Sequence, residues 1–158
     1  MRRVASVRAG SRVGLLQHAV LAVLAFAPTL AAAPGRVAAD TRQYLYVDPG
    51  DFLTRALTLW DPHVHLGTVT HSNIGNTFPI GTFYAVTDGL GVPAWLAQRL
   101  WLGGILFAAG AGVLFLARSI RWRSGGVLVA AAAYLLSPYV LQYAPRTSIL
   151  LLPFAALP

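Results

Sequence analysis

Residues 13–33 contain no charged side chain, and this run constrains the fold more than any other feature of the sequence. As an α-helix it would be about 31 Å long, which matches the hydrocarbon core of a bilayer. Basic residues precede the run and VAAD follows it, as in a secretory signal peptide, but the run is longer than the apolar region typical of those peptides. We therefore predict a retained first transmembrane helix. The basic residues before it are Arg2, Arg3, Arg8 and Arg12.

The composition of the whole chain agrees with a membrane protein. Of its 158 residues, 56% are hydrophobic and 11% charged, whereas a soluble domain carries about 25% charged residues. A net charge of +7 would suggest a nucleic-acid partner for a soluble protein. Here the arginines lie beside apolar runs, so we predict contact with the lipid bilayer and no nucleic-acid binding. Cysteine is absent, which excludes a disulfide framework and thiolate metal sites within these residues.

Further apolar runs predict more membrane helices after a long polar region. Pro93 suits the first turn of a second helix, and Ser137-Pro138 should kink or end a third. The fold class is then all-α integral membrane, the N-terminal part of a polytopic helix bundle. The predicted segments are a basic N-terminus (1–12), the first helix (13–33), a long loop (34–92), a second helix (93–117), a turn (118–124), a third helix (125–140) and the start of a truncated fourth apolar segment (147–158).

The distribution of charges predicts the topology. Residues 1–12 and 118–124 carry seven arginines and no acid, whereas residues 34–92 carry three arginines and all five aspartates. The positive-inside rule places the N-terminus in the cytosol and the long loop outside a plasma (inner) membrane. The turn from Arg118 to Arg123 would contact anionic lipids or an acidic cytosolic partner. Because the sequence ends within an apolar run, we expect the N-terminal fragment of a larger protein, inactive by itself.

The loop contains a predicted helix over residues 49–60. Asp48 can cap it, Pro49 suits its first position, and Asp51 lies at the positive end of the helix dipole. Asp51 and Arg55 have the i,i+4 spacing of an ion pair. Apolar residues at helical spacing predict a short amphipathic helix on the outer membrane interface. These are Phe52, Ala56, Leu59 and Trp60.

Capping explains one carboxylate of the loop, but Asp40 has no evident structural role. It follows the first predicted helix at the outer interface, where a carboxylate could act as a general base on an acceptor hydroxyl beside a lipid-linked donor. Asp51 and Asp61 are the alternatives, although Asp61-Pro62 is also expected to end the helix in a turn. Asp88-Gly89 is predicted to form another turn.

Basic and polar side chains of the loop are candidates for binding the donor phosphate or the substrate. HVH would place His63 and His65 on one face of a strand, which is compatible with a metal ion, but no third ligand has a definite spacing. We therefore favour hydrogen bonds to a phosphate and assign no metal ligand, leaving a divalent-metal requirement open. Residues 71–84 read as an ordered loop that lines a pocket. The candidate binding residues are Arg42, Arg55, His63, His65, His71 and Asn73.

Long strings of this sequence resemble one family. The strings are DTRQYLYVDPGDFLTRALTLWDPHVHLGTVTHSNIGNTFPIGTFY, LGVPAWLAQRLWLG and LLSPYVLQYAPRTSILLLPFAALP. They resemble the N-terminal part of the actinobacterial and mycobacterial α-(1→3)-arabinofuranosyltransferases, the AftD family of the GT-C class. The resemblance covers about residues 38–158.

The resemblance implies a GT-C helix bundle whose first external loop carries a catalytic acid just after the first helix, which is the position of Asp40. It also implies decaprenylphosphoryl-arabinofuranose as the donor. The acceptor would be the arabinan of arabinogalactan or lipoarabinomannan, which gains an α-1,3 branch at a 3-hydroxyl. Asn76, Ile80 and Thr82 depart from the family pattern and leave the details of the pocket open.

Two other readings remain. The chain could belong to another GT-C enzyme that uses a polyprenyl-phosphate sugar, such as a mannosyltransferase. It could also be a non-catalytic membrane subunit or a transporter fragment. A transporter should carry ionisable groups or broken helices at mid-membrane depth, whereas the charges here are read as lying at the interfaces. This distribution favours an enzyme.

Overall fold

The computed structural model describes residues 2–38, 44–58, 60–62, 66–69, 74–122, 125–143, 146 and 148–158. The helices are α1 (Arg2–Ala31), α2 (Tyr44–Val47), α3 (Pro49–Ala56), α4 (Thr82–Gly89), α5 (Ala94–Ser119), α6 (Gly126–Leu135), α7 (Pro138–Tyr143) and α8 (Leu151–Ala156). Strands β1 (Trp60–Asp61) and β2 (Thr68–Val69) pair antiparallel. An irregular turn, Thr77–Gly81, leads into α4, and a 3-10 turn, Ser148–Leu150, precedes α8.

Among the described residues, three helical segments are long and apolar enough to cross a membrane. They are Val13–Ala31, Ala94–Ser119 and Gly126–Tyr143, with mean hydropathies of 1.8, 2.1 and 1.4. The third comprises α6 and α7, which are separated at Leu136 and Ser137. Pro138 lacks an N–H to continue the helix, so the predicted kink occurs where the sequence places it. Helix α5 begins one residue later than predicted, with Pro93 as its N-cap.

Helix α5 is the centre of the bundle. Half of its apolar window is buried, against 11% for α1, because α1, α6 and α8 all pack against it. The helices approach closely at small residues, as is common for membrane helices. A Cβ on Gly103 would lie 2.3 Å from Cδ1 of Phe26, and a Cβ on Gly110 would lie 2.8 Å from Cδ2 of Leu135. These contacts fix how α1 and α6 sit on α5.

Helix α3 begins at Pro49 as predicted but ends at Ala56 instead of residue 60. Trp60 belongs to strand β1, and its indole lies against Gly67 and leaves no room for a side chain there. The φ of Gly67 is +110°, a conformation that also favours glycine. Leu59 lies outside the described residues. The apolar stripe is therefore shorter than predicted. Phe52 and Ala56 are buried inside the protein, in a cluster that includes Ile80, Tyr84 and Trp101.

The predicted loop over residues 71–84 is partly helical. From Thr77 the chain forms the irregular turn and then α4, which continues through Asp88 and Gly89. The turn predicted at Asp88-Gly89 occurs instead at Leu90-Gly91, where the N–H of Gly91 donates to the carbonyl of Asp88 at 2.8 Å and φ of Gly91 is +72°. The turn expected at Asp61-Pro62 is found at Pro62, because Asp61 itself lies in β1.

Candidate active site

The described parts of the polypeptide between α1 and α5 gather at one end of the bundle, which we call the loop end. Its best-defined contact joins the two membrane helices through the side-chain amide of Gln98. The N–H of Ala38 donates to Oε1 of Gln98 at 2.7 Å, and Nε2 of Gln98 donates to the carbonyl of Ala38 at 3.0 Å. Gln98 is fully buried. The chain that follows α1 is therefore fixed against the first turns of α5.

Arg99, the next residue of α5, extends this attachment. Its Nη2 donates to the carbonyl of Arg36 at 3.2 Å. The side chain is 7% exposed, and its Nε–H is buried without a hydrogen-bond partner among the residues that the structure describes. A buried charge normally requires a counter-charge or a full set of hydrogen bonds. Arg99 therefore retains unused capacity to donate hydrogen bonds.

The segment that contains Asp40 is attached on both sides. Before it, Ala38 is bound to Gln98; after it, the hydroxyl of Tyr46 in α2 donates to the carbonyl of Ala38 at 3.4 Å. Leu45 is buried beside Tyr46. Asp40 and Arg42 themselves lie outside the described residues.

The start of α3 shows why two further carboxylates lie in the loop. The side chain of Asp48 accepts from the N–H of Asp51 at 2.9 Å, as an N-cap does. The carboxylate of Asp51 pairs with Nη2 of Arg55 at 2.8 Å, and both side chains are 46% exposed. The predicted cap and ion pair are both present. Asp51 and Arg55 remain predicted site residues, and each is engaged with the other.

Asp61 is the best buried of the described carboxylates, at 4% exposure. It lies in β1 opposite Thr68, beside the contact between Trp60 and Gly67. In the sequence, the HVH segment stands between β1 and β2. His63 and His65, and beyond the hairpin His71 and Asn73, lie outside the described residues. Within the described ranges no three His, Cys, Asp or Glu side chains come together as a metal site would require.

The opposite end of the bundle, which we call the arginine end, holds a second contact between α1 and α5. Nη2 of Arg118 donates to Oε1 of Gln17 at 3.1 Å. A Cβ on Gly14 would lie 3.3 Å from the same Nη2. Arg121 is exposed just after α5, and Arg123 lies outside the described residues. The acidic partner predicted for this turn stays a prediction.

Gln98 and Arg99 were absent from the residues predicted for the site. The sequence nevertheless contains a signal for them, because a glutamine and an arginine stand inside the predicted second helix, 93–117. Polar and charged groups within a membrane helix are costly and usually functional. Both residues stand in the first two turns of α5, where a polar side chain is also expected at the end of a membrane helix.

The loop end can be compared with known proteins. A model of the family described as Alpha-(1->3)-arabinofuranosyltransferase, N-terminal GT-C domain, matches residues 21–158. The chain belongs to this family. Two curated proteins named Alpha-(1->3)-arabinofuranosyltransferase are similar to it. The one from Mycolicibacterium smegmatis is 40% identical over 114 residues, covering 72% of the chain and 8% of that protein. The one from Mycobacterium tuberculosis is 38% identical over 125 residues, covering 77% and 9%.

Solved structures of the arabinofuranosyltransferase family agree with this assignment. A cryo-EM structure of arabinofuranosyltransferase AftD from mycobacteria is 34% identical to the chain, with a TM-score of 0.76 over 83% of this chain and 10% of that one. A mutant of the same enzyme gives a TM-score of 0.82 over 86% and 11%. The all-α membrane bundle is thus the N-terminal GT-C fold of the family. The chain spans about a tenth of the length of these relatives.

Proposed function

We propose that this chain is the N-terminal GT-C part of a membrane α-(1→3)-arabinofuranosyltransferase. The enzyme transfers arabinofuranose from decaprenylphosphoryl-arabinofuranose to a 3-hydroxyl of cell-wall arabinan, in arabinogalactan or lipoarabinomannan. The names of the relatives favour an arabinofuranose donor over the mannose donor that the sequence alone left open. Because the chain spans so little of them, the 158 residues by themselves are expected to transfer nothing.

The loop end faces the outside of the plasma membrane in this proposal, and the arginine end faces the cytosol. The distribution of basic residues supports this orientation. It places Asp40 at the outer surface, where a glycan acceptor arrives from water and the phosphate of a lipid-linked donor lies at headgroup level.

Asp40 acts as the general base of the transfer. It removes the proton of the acceptor 3-hydroxyl while that oxygen forms a bond to C1 of arabinose. The bond from C1 to the phosphate oxygen breaks, and decaprenyl phosphate leaves with the bonding electrons. The observation that carries this role is the double hydrogen bond from Gln98 to Ala38, two residues before Asp40. These hydrogen bonds support the proposal that Asp40, which has no other structural role, is held in a defined position.

The leaving phosphate requires donors that neutralise its charge. The candidates predicted from the loop are kept as proposals. Arg55 would have to exchange its carboxylate partner, Asp51, for the phosphate. Asp51 and Asp61 remain the alternative bases. The other loop candidates are Arg42, His63, His65, His71 and Asn73.

The test compares Asp40→Asn with Asp48→Asn in a full-length enzyme that carries this sequence. Both substitutions remove one loop carboxylate, and asparagine caps a helix about as well as aspartate. We expect Asp40→Asn to lower kcat for arabinose transfer by at least about 100-fold, within the range of general acid–base catalysis, and Asp48→Asn to leave it unchanged. Near wild-type transfer by a well-expressed Asp40→Asn enzyme would rule out this role.

A further inference from the structure

Arg99 is a buried cation whose charge is not balanced within the described residues. It donates one hydrogen bond, from Nη2 to a backbone carbonyl, although a guanidinium carries five N–H donors. The buried Nε–H has no partner there, and Arg99 forms no ion pair in the described ranges. The ion pair found in those ranges joins Asp51 to Arg55.

An unpaired buried charge is a cost that a fold usually relieves with a counter-charge. The backbone contact holds one edge of the guanidinium, so the remaining donors keep a fixed orientation. A planar fork with free N–H groups is suited to an oxyanion such as a carboxylate or phosphate. The unused donors therefore point to a bound anion.

The position of Arg99 along α5 indicates which anion the guanidinium binds. It stands five residues after Ala94, about 8 Å along the helix axis from the loop end of α5. If the loop end lies at the outer surface, as proposed, this depth corresponds to the boundary between headgroups and acyl chains, where the phosphate of a lipid is located. Gln98, its neighbour, holds the chain just before Asp40.

We propose that Arg99 binds the phosphate group of the polyprenyl-phosphate donor. This inference rests on the proposed function and adds a binding residue from α5 to the candidates in the loop. The guanidinium holds the phosphate of the donor before transfer and the polyprenyl phosphate afterwards. The Arg36 carbonyl keeps the guanidinium in place.

The test measures direct binding of radiolabelled decaprenyl phosphate to the purified full-length protein, with unlabelled decaprenol as the uncharged competitor. We expect Arg99→Met to weaken binding of decaprenyl phosphate by about tenfold or more, as for loss of a charge-assisted hydrogen bond. Displacement by decaprenol should be unchanged, because the prenyl chain does not contact the charge. Unchanged binding of the phosphate, or equal weakening for both lipids, would overturn the proposal.

Arg118→Met is the matched control. It removes an arginine hydrogen bond from α5 to α1 at the arginine end and should change neither affinity; an effect equal to that of Arg99→Met would assign both to packing. If the Arg99→Met protein does not fold, binding of decaprenyl phosphate to the Arg99→Lys protein tests the proposal instead. Lysine keeps the charge but loses the Nε–H and the planar fork, so binding of decaprenyl phosphate should weaken about threefold to tenfold. Wild-type affinity in Arg99→Lys would overturn the proposal.

A further arm separates the donor from ordinary lipid phosphate. Phosphatidylglycerol vesicles should displace decaprenyl phosphate poorly; displacement equal to that by unlabelled decaprenyl phosphate, and dependent on Arg99, would make this a general headgroup site.

Binding of decaprenyl phosphate does not require turnover, so binding and transfer test the two proposals separately. A protein that binds decaprenyl phosphate through Arg99 yet transfers no arabinose would contradict the proposed function alone. Transfer with binding that does not depend on Arg99 would contradict this inference alone.

Discussion

The side chain of Gln98 pairs with the backbone of Ala38 through two hydrogen bonds, of 2.7 and 3.0 Å, across sixty positions of sequence. The amide uses both its donor and its acceptor on a single residue, in the manner of a neighbouring β-strand. The contact involves only backbone atoms of Ala38. It therefore fixes the path of the chain leading to Asp40 whatever the side chain at position 38.

Gln98→Leu should reduce both stability and transfer. The substitution leaves the N–H and carbonyl of Ala38 without these partners, which we expect to cost about 1–3 kcal/mol of unfolding free energy. The transfer rate should fall further than stability alone explains, because the chain before Asp40 is released. Thermal unfolding and the kcat of the full-length enzyme check this. Gln17→Leu, which removes the exposed contact with Arg118, is the control and should change both little.

Gly103→Ala and Gly104→Ala form a pair of adjacent substitutions with opposite expected effects. A Cβ at position 103 would meet the ring of Phe26 at 2.3 Å, whereas nothing lies within 4 Å of a Cβ at position 104. We expect Gly103→Ala to lower stability by about 1–3 kcal/mol through overpacking. Gly104→Ala should be neutral or raise stability by up to about 1 kcal/mol. Denaturation in detergent distinguishes them, and equal stabilities would contradict the packing of α1 on α5.

The stability of helix α3 should depend on the capping hydrogen bond of Asp48 and not on the charge of its carboxylate. Asp48→Ala removes the acceptor for the N–H of Asp51 and should cost about 1 kcal/mol. Asp48→Asn should cost much less, because asparagine can accept the same bond. Hydrogen exchange of the α3 amides in the full-length protein measures this. Equal protection in the two variants would show that the cap does not limit the stability of α3.

Single cysteines can test the topology, since these 158 residues contain none. Leu66, in the hairpin, is fully exposed, and Arg121 is exposed after α5. With any cysteine outside these residues replaced, a membrane-impermeant maleimide should label Leu66→Cys in intact cells and Arg121→Cys only after permeabilisation. The reverse pattern would invert the proposed orientation.

Local chemistry was sufficient to predict much of this fold. The three membrane helices follow from length and apolar composition, and the cap at Asp48 and the break at Pro138 follow from the geometry of single residues. The end of α3 could not be predicted in this way, because it depends on the packing of Trp60 against Gly67. Helix α4 was missed because turn-forming residues precede it and Asp88-Gly89 end it, while its packing against α3 is not visible in the local sequence.

The site was harder to predict than the helices. Neither Gln98 nor Arg99 has a polar partner nearby in sequence; their contacts are sixty and sixty-three positions away. Only the packing of α1 against α5 brings those backbone groups to them. Asp40 could be singled out from sequence because the neighbouring carboxylates had local structural roles, whereas its surroundings depend on long-range contacts.

Gln98 and Arg118 make polar contacts near the two ends of α5, with the backbone that follows α1 and with α1 itself. They are twenty residues apart along α5 (118 − 98), or about 30 Å, which equals the thickness of the hydrocarbon core. Helix α5 thus carries one polar contact at each edge of the hydrocarbon core. A shift of α1 by one residue along α5 would break both contacts at once. The contact at the arginine end therefore helps to set how far the chain before Asp40 lies from the lipid at the loop end.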